Sequence, residues 1–196
     1  MSTIAIIPAR GGSKRIPRKN VTPFLGKPMI SWTIEAALKS GVFENVLVST
    51  DDNEIAEISI ESGAQVPFLR ENYCDDISPI SLATTSALEQ AEAFYQTKFD
   101  KVVQLMPNCP LRTSEDIKNS LSVFNEKGSL TQISVFKYGW SNPWWALELN
   151  ENGSPVKLFD NKNVRSQDLP ELFCPTGAIW ISRRDSLLNN RDFYAE

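Results

Sequence analysis

The stretch TIAIIP (residues 3–8) running straight into ARGGSKRIPRKN (residues 9–20) decides how the chain is read. Six apolar or small residues closed by a proline are the pattern of a strand buried on both faces, as in parallel sheets. The next segment is rich in glycine and positive charge: between Arg10 and Lys19 there are five cations and no carboxylate. Gly11 and Gly12 let a backbone come close to phosphate oxygens, and Ser13 supplies a hydroxyl. Arg10, Lys14 and Lys19 can neutralise charge, the arginine by holding two oxygens in one plane. The spacing is neither GxxxxGK[ST] nor GxGxxG. On composition alone such a loop could be a solvated surface turn. Its place after the first strand of an α/β pattern favours a phosphate-bearing ligand.

Working outward, strands and helices alternate. A helix is predicted from Pro28 to about Ser40 with Gly41 as its stop, and a strand over Asn45–Thr50. Further helices are predicted over Glu54–Ser62, over residues 80–96, from Ser114 as a cap, and briefly from Arg184. Strands are predicted over Gln65–Phe68, Lys101–Met106, Ser129–Phe136, Ala146–Leu149 and Thr176–Ser182, with a turn at Asn152-Gly153. The alternation implies an α/β fold, a Rossmann-like doubly wound, mainly parallel mixed sheet. Ligands in such sheets sit beyond the carboxyl ends of the strands. The cationic loop, Asp51-Asp52 and Pro107–Arg112 all fall there. Asp52 reads as a helix cap and Asp75-Asp76 as a solvated loop. One domain over residues 1–196 is expected, with residues 139–175 as an excursion. Trp140, Trp144 and Trp145 lie in that excursion and suit packing or a dimer interface better than base stacking.

Composition narrows the chemistry. Of 196 residues none is histidine, which excludes Ser-His-Asp and Cys-His nucleophile systems and histidine zinc sites. A metal would then be held by oxygen, as magnesium is. Cys74, Cys109 and Cys174 form neither a ligand spacing nor a disulfide framework. The net charge of −4 argues against nucleic-acid binding and points the local cation cluster at a small anion. No apolar run is long enough to span a bilayer, and charge follows the first apolar run instead of preceding it as in a secretory signal. A cytoplasmic protein is expected, in which the sequons at Asn20 and Asn152 are chance matches.

IPARGGSKRIPRKN, GKPMISWTIEAALKSG, VLVSTDDNEIAEIS, PLRT (110–113) and PTGAIWI (175–181), in this order, resemble the acylneuraminate cytidylyltransferase family over nearly the whole chain. The resemblance implies the nucleotide-diphospho-sugar transferase type of fold with a small dimerisation excursion. It also implies a reaction: CTP and a nonulosonic acid sugar give a CMP-sugar and pyrophosphate, with magnesium or manganese, in a homodimer. By the same resemblance Arg10, Lys14 and Lys19 are catalytic. Arg10, Gly12, Ser13, Lys14, Lys19, Asn20, Arg70 and Asn108 contact the nucleotide, and Met106, Cys109, Arg165 and Thr176 meet the sugar. Three places depart from many sialic-acid members: Met106 replaces glutamine, Asn108-Cys109 replaces Thr-Ser, and Thr176 replaces asparagine, all on the sugar side. The family's Asp-x-Asp metal element would lie beyond Glu196. On that expectation the sequence is a fragment or a protein lacking part of the site. A CMP-Kdo or other sugar-nucleotide synthetase, and a non-catalytic nucleotide-binding protein, are the alternatives.

Overall fold

A computed structural model of the protein describes residues 2–14, 16–159 and 165–194; Arg15, one of the five loop cations, lies outside them. In chain order the strands are β1 (Thr3–Pro8), β2 (Pro23–Phe24), β3 (Lys27–Pro28), β4 (Asn45–Ser49), β5 (Lys101–Gln104), β6 (Thr131–Lys137), β7 (Leu147–Leu149), β8 (Pro155–Lys157) and β9 (Phe173–Arg183). The helices are α1 (Met29–Ser40), α2 (Asn53–Glu61), α3 (Ile80–Tyr95), α4 (Ser114–Lys127) and α5 (Arg184–Asn190). Among the described residues no helix is long and apolar enough to cross a membrane.

Every residue of β1 is buried because the strand is covered on both faces. Its side chains alternate, as the two-residue repeat of a strand requires. Ala5 and Ile7 join Ile34 of α1, Ile55 of α2 and Leu121 of α4 in one core. Ile4 and Ile6 join Leu88 of α3 and Leu187 of α5 in the other. Those two layers make the sheet doubly wound. Its strand order is β4-β1-β5-β9-β6. β1 pairs in parallel with β4 and β5, Ile6 standing opposite Leu47 on one side and Gln104 on the other. β9 runs antiparallel to β5, with Trp180 opposite Gln104.

Local chemistry explains most boundaries, including those that differ from the sequence-based expectation. Gly41 closes α1 at φ 65°, where a side chain would be strained. Pro28 precedes that helix as its cap residue instead of forming its first turn. Asp52 caps α2, its carboxylate accepting from the Ile55 amide at 3.0 Å. The cap of α4 is Thr113, not Ser114. Only a cap at Thr113 places an acid three residues on, and Asp116 completes the reciprocal box. The strand expected over Gln65–Phe68 is a single bridge from Gln65 to Leu47, since Pro67 has no N–H to extend it. β5 ends at Gln104, two residues short of Met106, as the chain turns toward Pro107. The short pairing of β2 with β3 adds to the expected elements; Leu25 and Gly26 turn between them with φ of 48° and 89°.

The chain divides into two compact units, Met1–Ile133 with Gly177–Glu196, and Ser134–Thr176. The second contains residues 139–175. In it β7 and β8 form a hairpin around Asn150, whose side-chain oxygen accepts from the amides of Asn152 and Ser154 at 3.1 and 2.8 Å. The Trp144 indole donates to the Pro170 carbonyl at 2.9 Å and packs edge-on against Phe159. Trp140 is wholly exposed, and Phe136, Leu149 and Val156 are among the other large apolar side chains this unit presents to solvent.

Candidate active site

The cationic loop begins where β1 stops, and the structure ties it down at several points. The Ala9 amide donates to the Ser49 carbonyl of β4 at 2.9 Å, keeping the loop at the carboxyl edge of the parallel strands. The Gly11 amide donates to the Asp51 carboxylate at 2.8 Å. A Cβ on Gly11 would lie 2.6 Å from Asp52 Oδ2, so only glycine fits there, whereas one on Gly12 would meet nothing within 4 Å. Arg18, in the left-handed region at φ 55°, clamps the far end of the loop. Its guanidinium meets the Asp52 carboxylate at 2.5 and 3.0 Å and also pairs with Glu54. The hydrogen bond that Arg18 donates to Asp52 holds the Arg18 proton more firmly than usual, and the same bond lowers the Asp52 carboxyl below its ordinary value. Arg18 is thus a structural cation, spent on the helix cap.

Four other cations converge, Arg10, Lys14 and Lys19 from the loop and Arg70 from beyond it. Arg10, Lys19, Asn20 and Arg70 line a cavity of about 210 Å³ with Met106 and Asp76. Arg10, Gly12, Ser13, Lys14, Lys19 and Asn20 line an adjoining one of about 520 Å³ with Asn108. Every residue assigned to the nucleotide from the sequence therefore lines one of two neighbouring cavities, which have Arg10, Lys19, Asn20 and Asp76 in common. Asn20 is buried, donates from its side-chain nitrogen to the Arg10 carbonyl at 2.9 Å, and keeps its side-chain oxygen without a partner.

Arg70 is the most telling of these groups. It is 4% exposed, its amide is fixed to the Thr50 carbonyl at 2.7 Å, and Nε and Nη1 have no hydrogen-bond partner. Its nearest carboxylate, on Asp51, is 4.0 Å away. A buried cation with unfilled donors is costly unless an anion completes it, and the adjacent cavity leaves room for one.

Arg112 and Asp76 were not assigned to the site from the sequence. Arg112, in the PLRT block, is 8% exposed and donates through Nη1 to the carbonyls of Met106 and Ala178, at 3.3 and 2.5 Å. It stitches the segment after β5 to β9, and burial pulls its pKa down to about 10. Beside it Cys109 is half-buried, and burial pushes its thiol up. Met106 sits against Gly177, where a Cβ would come within 3.2 Å of Met106 Cγ. Asp75-Asp76 stands in an exposed loop, as expected, and from it Asp76 pairs with Arg10 and, at 2.6 Å, with Lys14. No local pattern announces the approach of Arg112 to Ala178 or of Asp76 to Arg10 and Lys14, because these partners lie about sixty residues or more apart in sequence.

Arg165 and Thr176, expected on the sugar side, belong to the second unit. Arg165 is exposed and its Nε meets Asp168 at 2.8 Å, while the Thr176 hydroxyl lies 2.6 Å from that of Ser134. Among the described residues no group of three carboxylate, cysteine or histidine side chains could hold a metal ion. Asp51, Asp52 and Asp76 are already engaged by the Gly11 amide, Arg18, Arg10 and Lys14.

The comparisons with known proteins agree with this geometry. A family model described as cytidylyltransferase matches residues 4–194. The pseudaminic acid cytidylyltransferase of Campylobacter jejuni is 40% identical over 186 residues, covering 92% of this chain and 78% of that protein. The CMP-N,N'-diacetyllegionaminic acid synthase of Legionella pneumophila is 34% identical over 203 residues, covering 100% and 84%. In fold, the chain is similar to a CMP:2-keto-3-deoxy-manno-octonic acid synthetase solved with CTP, at a TM-score of 0.70 and 22% identity over 97% of this chain and 77% of that one.

Proposed function

The chain belongs to the cytidylyltransferase family, and we propose that it joins CTP to the anomeric hydroxyl of a nonulosonic acid, a sialic-acid-like sugar. The products are a CMP-sugar and pyrophosphate. The observation that carries the reading is the convergence of Arg10, Lys14, Lys19 and Arg70 on two adjoining cavities at the carboxyl edge of the sheet. Relatives named for pseudaminic and diacetyllegionaminic acid support the choice of sugar class.

The reaction needs no covalent enzyme intermediate. The sugar hydroxyl forms a bond to the α-phosphorus of CTP, the bond from that phosphorus to the oxygen bridging to the β-phosphate breaks in line, and the hydroxyl proton passes to water. Arg10, Lys14 and Lys19 bind the triphosphate and balance the charge that builds on the leaving pyrophosphate. Arg70 supplies fixed donors inside the smaller cavity, and Asn20 and Asn108 orient the nucleoside end. For the sugar the proposal keeps Met106 and Cys109 of the first unit, which follow β5 at the carboxyl edge of the sheet. Magnesium or manganese belongs to the proposal as the companion ion of the triphosphate. The described carboxylates do not build a site for it.

We place the enzyme in the cytoplasm, where CTP is available, and as a homodimer formed through residues 134–176. The dimer rests on the exposed Phe136, Trp140, Leu149 and Val156 of that unit, an apolar concentration unusual for surface that meets only water. Sedimentation should give twice the chain mass at micromolar concentration; a single-chain mass would refute this assembly.

The reaction is tested by pyrophosphate release with CTP, magnesium ion and separate pseudaminic, legionaminic, sialic and Kdo acids. Release is expected with one of the first three. Release with Kdo alone would move the protein to the other branch of the fold, and CTP binding without release from any acid would leave a nucleotide-binding protein.

A further inference from the structure

We infer that Asp76 is a built-in stand-in for the nucleotide's phosphates: its carboxylate holds Arg10 and Lys14 together until a ligand offering phosphate to both cations displaces it. The inference rests on the reading that these two cations receive the triphosphate. Three observations carry it.

The first is the double contact. The Asp76 carboxylate pairs with the Arg10 guanidinium through one oxygen and with Lys14 Nζ at 2.6 Å through the other. Arg10 is held a second time by the carbonyl of Asp75. The two loop cations nearest the glycines therefore already carry an anion where the larger cavity opens, and Asp76 lines both cavities.

The second is how Asp76 is presented. Asp75 turns its carboxylate back onto its own turn, accepting from the amides of Ile77 and Ser78 at 2.7 and 2.6 Å and from the Ser78 hydroxyl at 2.7 Å. That turn is self-contained and does not need the loop. It fixes the backbone from which Asp76 reaches across, so of the two neighbouring acids only one faces the cations. Both carboxyls lie below their ordinary value, Asp75 at about 2 through Ser78 and Asp76 through Lys14 and Arg10.

The third is exposure. The Arg10 and Asp76 side chains are each 31% exposed and that of Lys14 is 84% exposed. Ion pairs this wet are weak, so a polyphosphate can displace the carboxylate, yet the displacement still subtracts from binding. A ligand with a single anionic group replaces one contact and leaves the other. A chain of two or three phosphates replaces both. Asp76 is thus a positioning residue that favours di- and triphosphates, and on pyrophosphate departure it returns to the cations.

The test is calorimetric binding of CTP, pyrophosphate and cytidine to the wild-type chain and to Asp76→Asn, in one magnesium buffer at low ionic strength. Asp76→Asn is expected to bind CTP and pyrophosphate about three- to tenfold more tightly, the gain shrinking as salt is added, while cytidine is unchanged. Pyrophosphate should become a correspondingly stronger product inhibitor. Unchanged or weaker CTP and pyrophosphate binding would overturn the inference, as would equal tightening of cytidine. Wild-type protein that binds neither CTP nor pyrophosphate would instead sink the underlying reading of Arg10 and Lys14. Should Asp76→Asn fold poorly, Asp76→Ser removes the same charge with a smaller side chain and carries the same expectations.

Discussion

Arg70→Met is expected to weaken CTP binding about 30- to 150-fold while leaving the melting temperature unchanged or raised. The two halves of that result have one cause. Arg70 is buried, Nε and Nη1 lack partners, and its closest carboxylate stands off at 4.0 Å. In the free protein the guanidinium is a burden, and an apolar side chain of similar length fills its place without that burden. Asp51 keeps the Gly11 amide when Arg70 is gone, so the substitution does not orphan the acid. With nucleotide bound, the same unfilled donors would make charge-assisted hydrogen bonds, whose loss costs about 2–3 kcal/mol. Calorimetry with CTP and a thermal melt on one preparation check both halves. A melting temperature several degrees lower would make Arg70 a structural residue. Unchanged CTP affinity would remove it from the nucleotide site.

Gly11→Ala is expected to cost about 2 kcal/mol of stability, or about 4–8 °C in melting temperature, and at least about tenfold in kcat/KM. The new Cβ would sit 2.6 Å from Asp52 Oδ2 and 2.9 Å from Asp52 Cβ, so a rotation of the carboxylate alone does not relieve it. Asp52 cannot move without cost, since it caps α2 and holds Arg18 at the same time. If the loop yields instead, the Gly11 amide leaves Asp51 and the neighbouring Arg10 shifts with it. Gly12→Ala is the control: its Cβ meets nothing within 4 Å, and its melting temperature should stay within about 1 °C of wild type. Equal melting temperatures for the two variants would show that the loop is not pinned against α2.

Much of the fold is legible in the sequence because it is written in short-range patterns. The six buried residues of β1, the glycine ending α1 and the aspartate capping α2 each depend on neighbours within a few positions. The cap of α4 lies one residue from where the sequence reading puts it, though Thr113 and Asp116 carry the signal at the proper spacing. Pro67 is visible too, and the strand expected through it gives way to a single bridge. The family can be read because five blocks keep their order over the chain.

Sequence alone does not assign tasks among charges of one sign. Five cations in one loop look alike on the page. The fold sends Arg18 to Asp52 and Glu54, and Arg10 and Lys14 to Asp76, while Arg70 is brought in from another loop to line the same cavity as Arg10. The periodicity of apolar residues determined the doubly wound α/β architecture and put the loop at the carboxyl edge of the sheet, since burial depends on which face each side chain takes. Which carboxylate meets which cation, and which guanidinium is left buried with unfilled donors, only the tertiary structure decided. Such contacts act over a few ångströms between residues that stand far apart in the chain, and no local pattern encodes that approach.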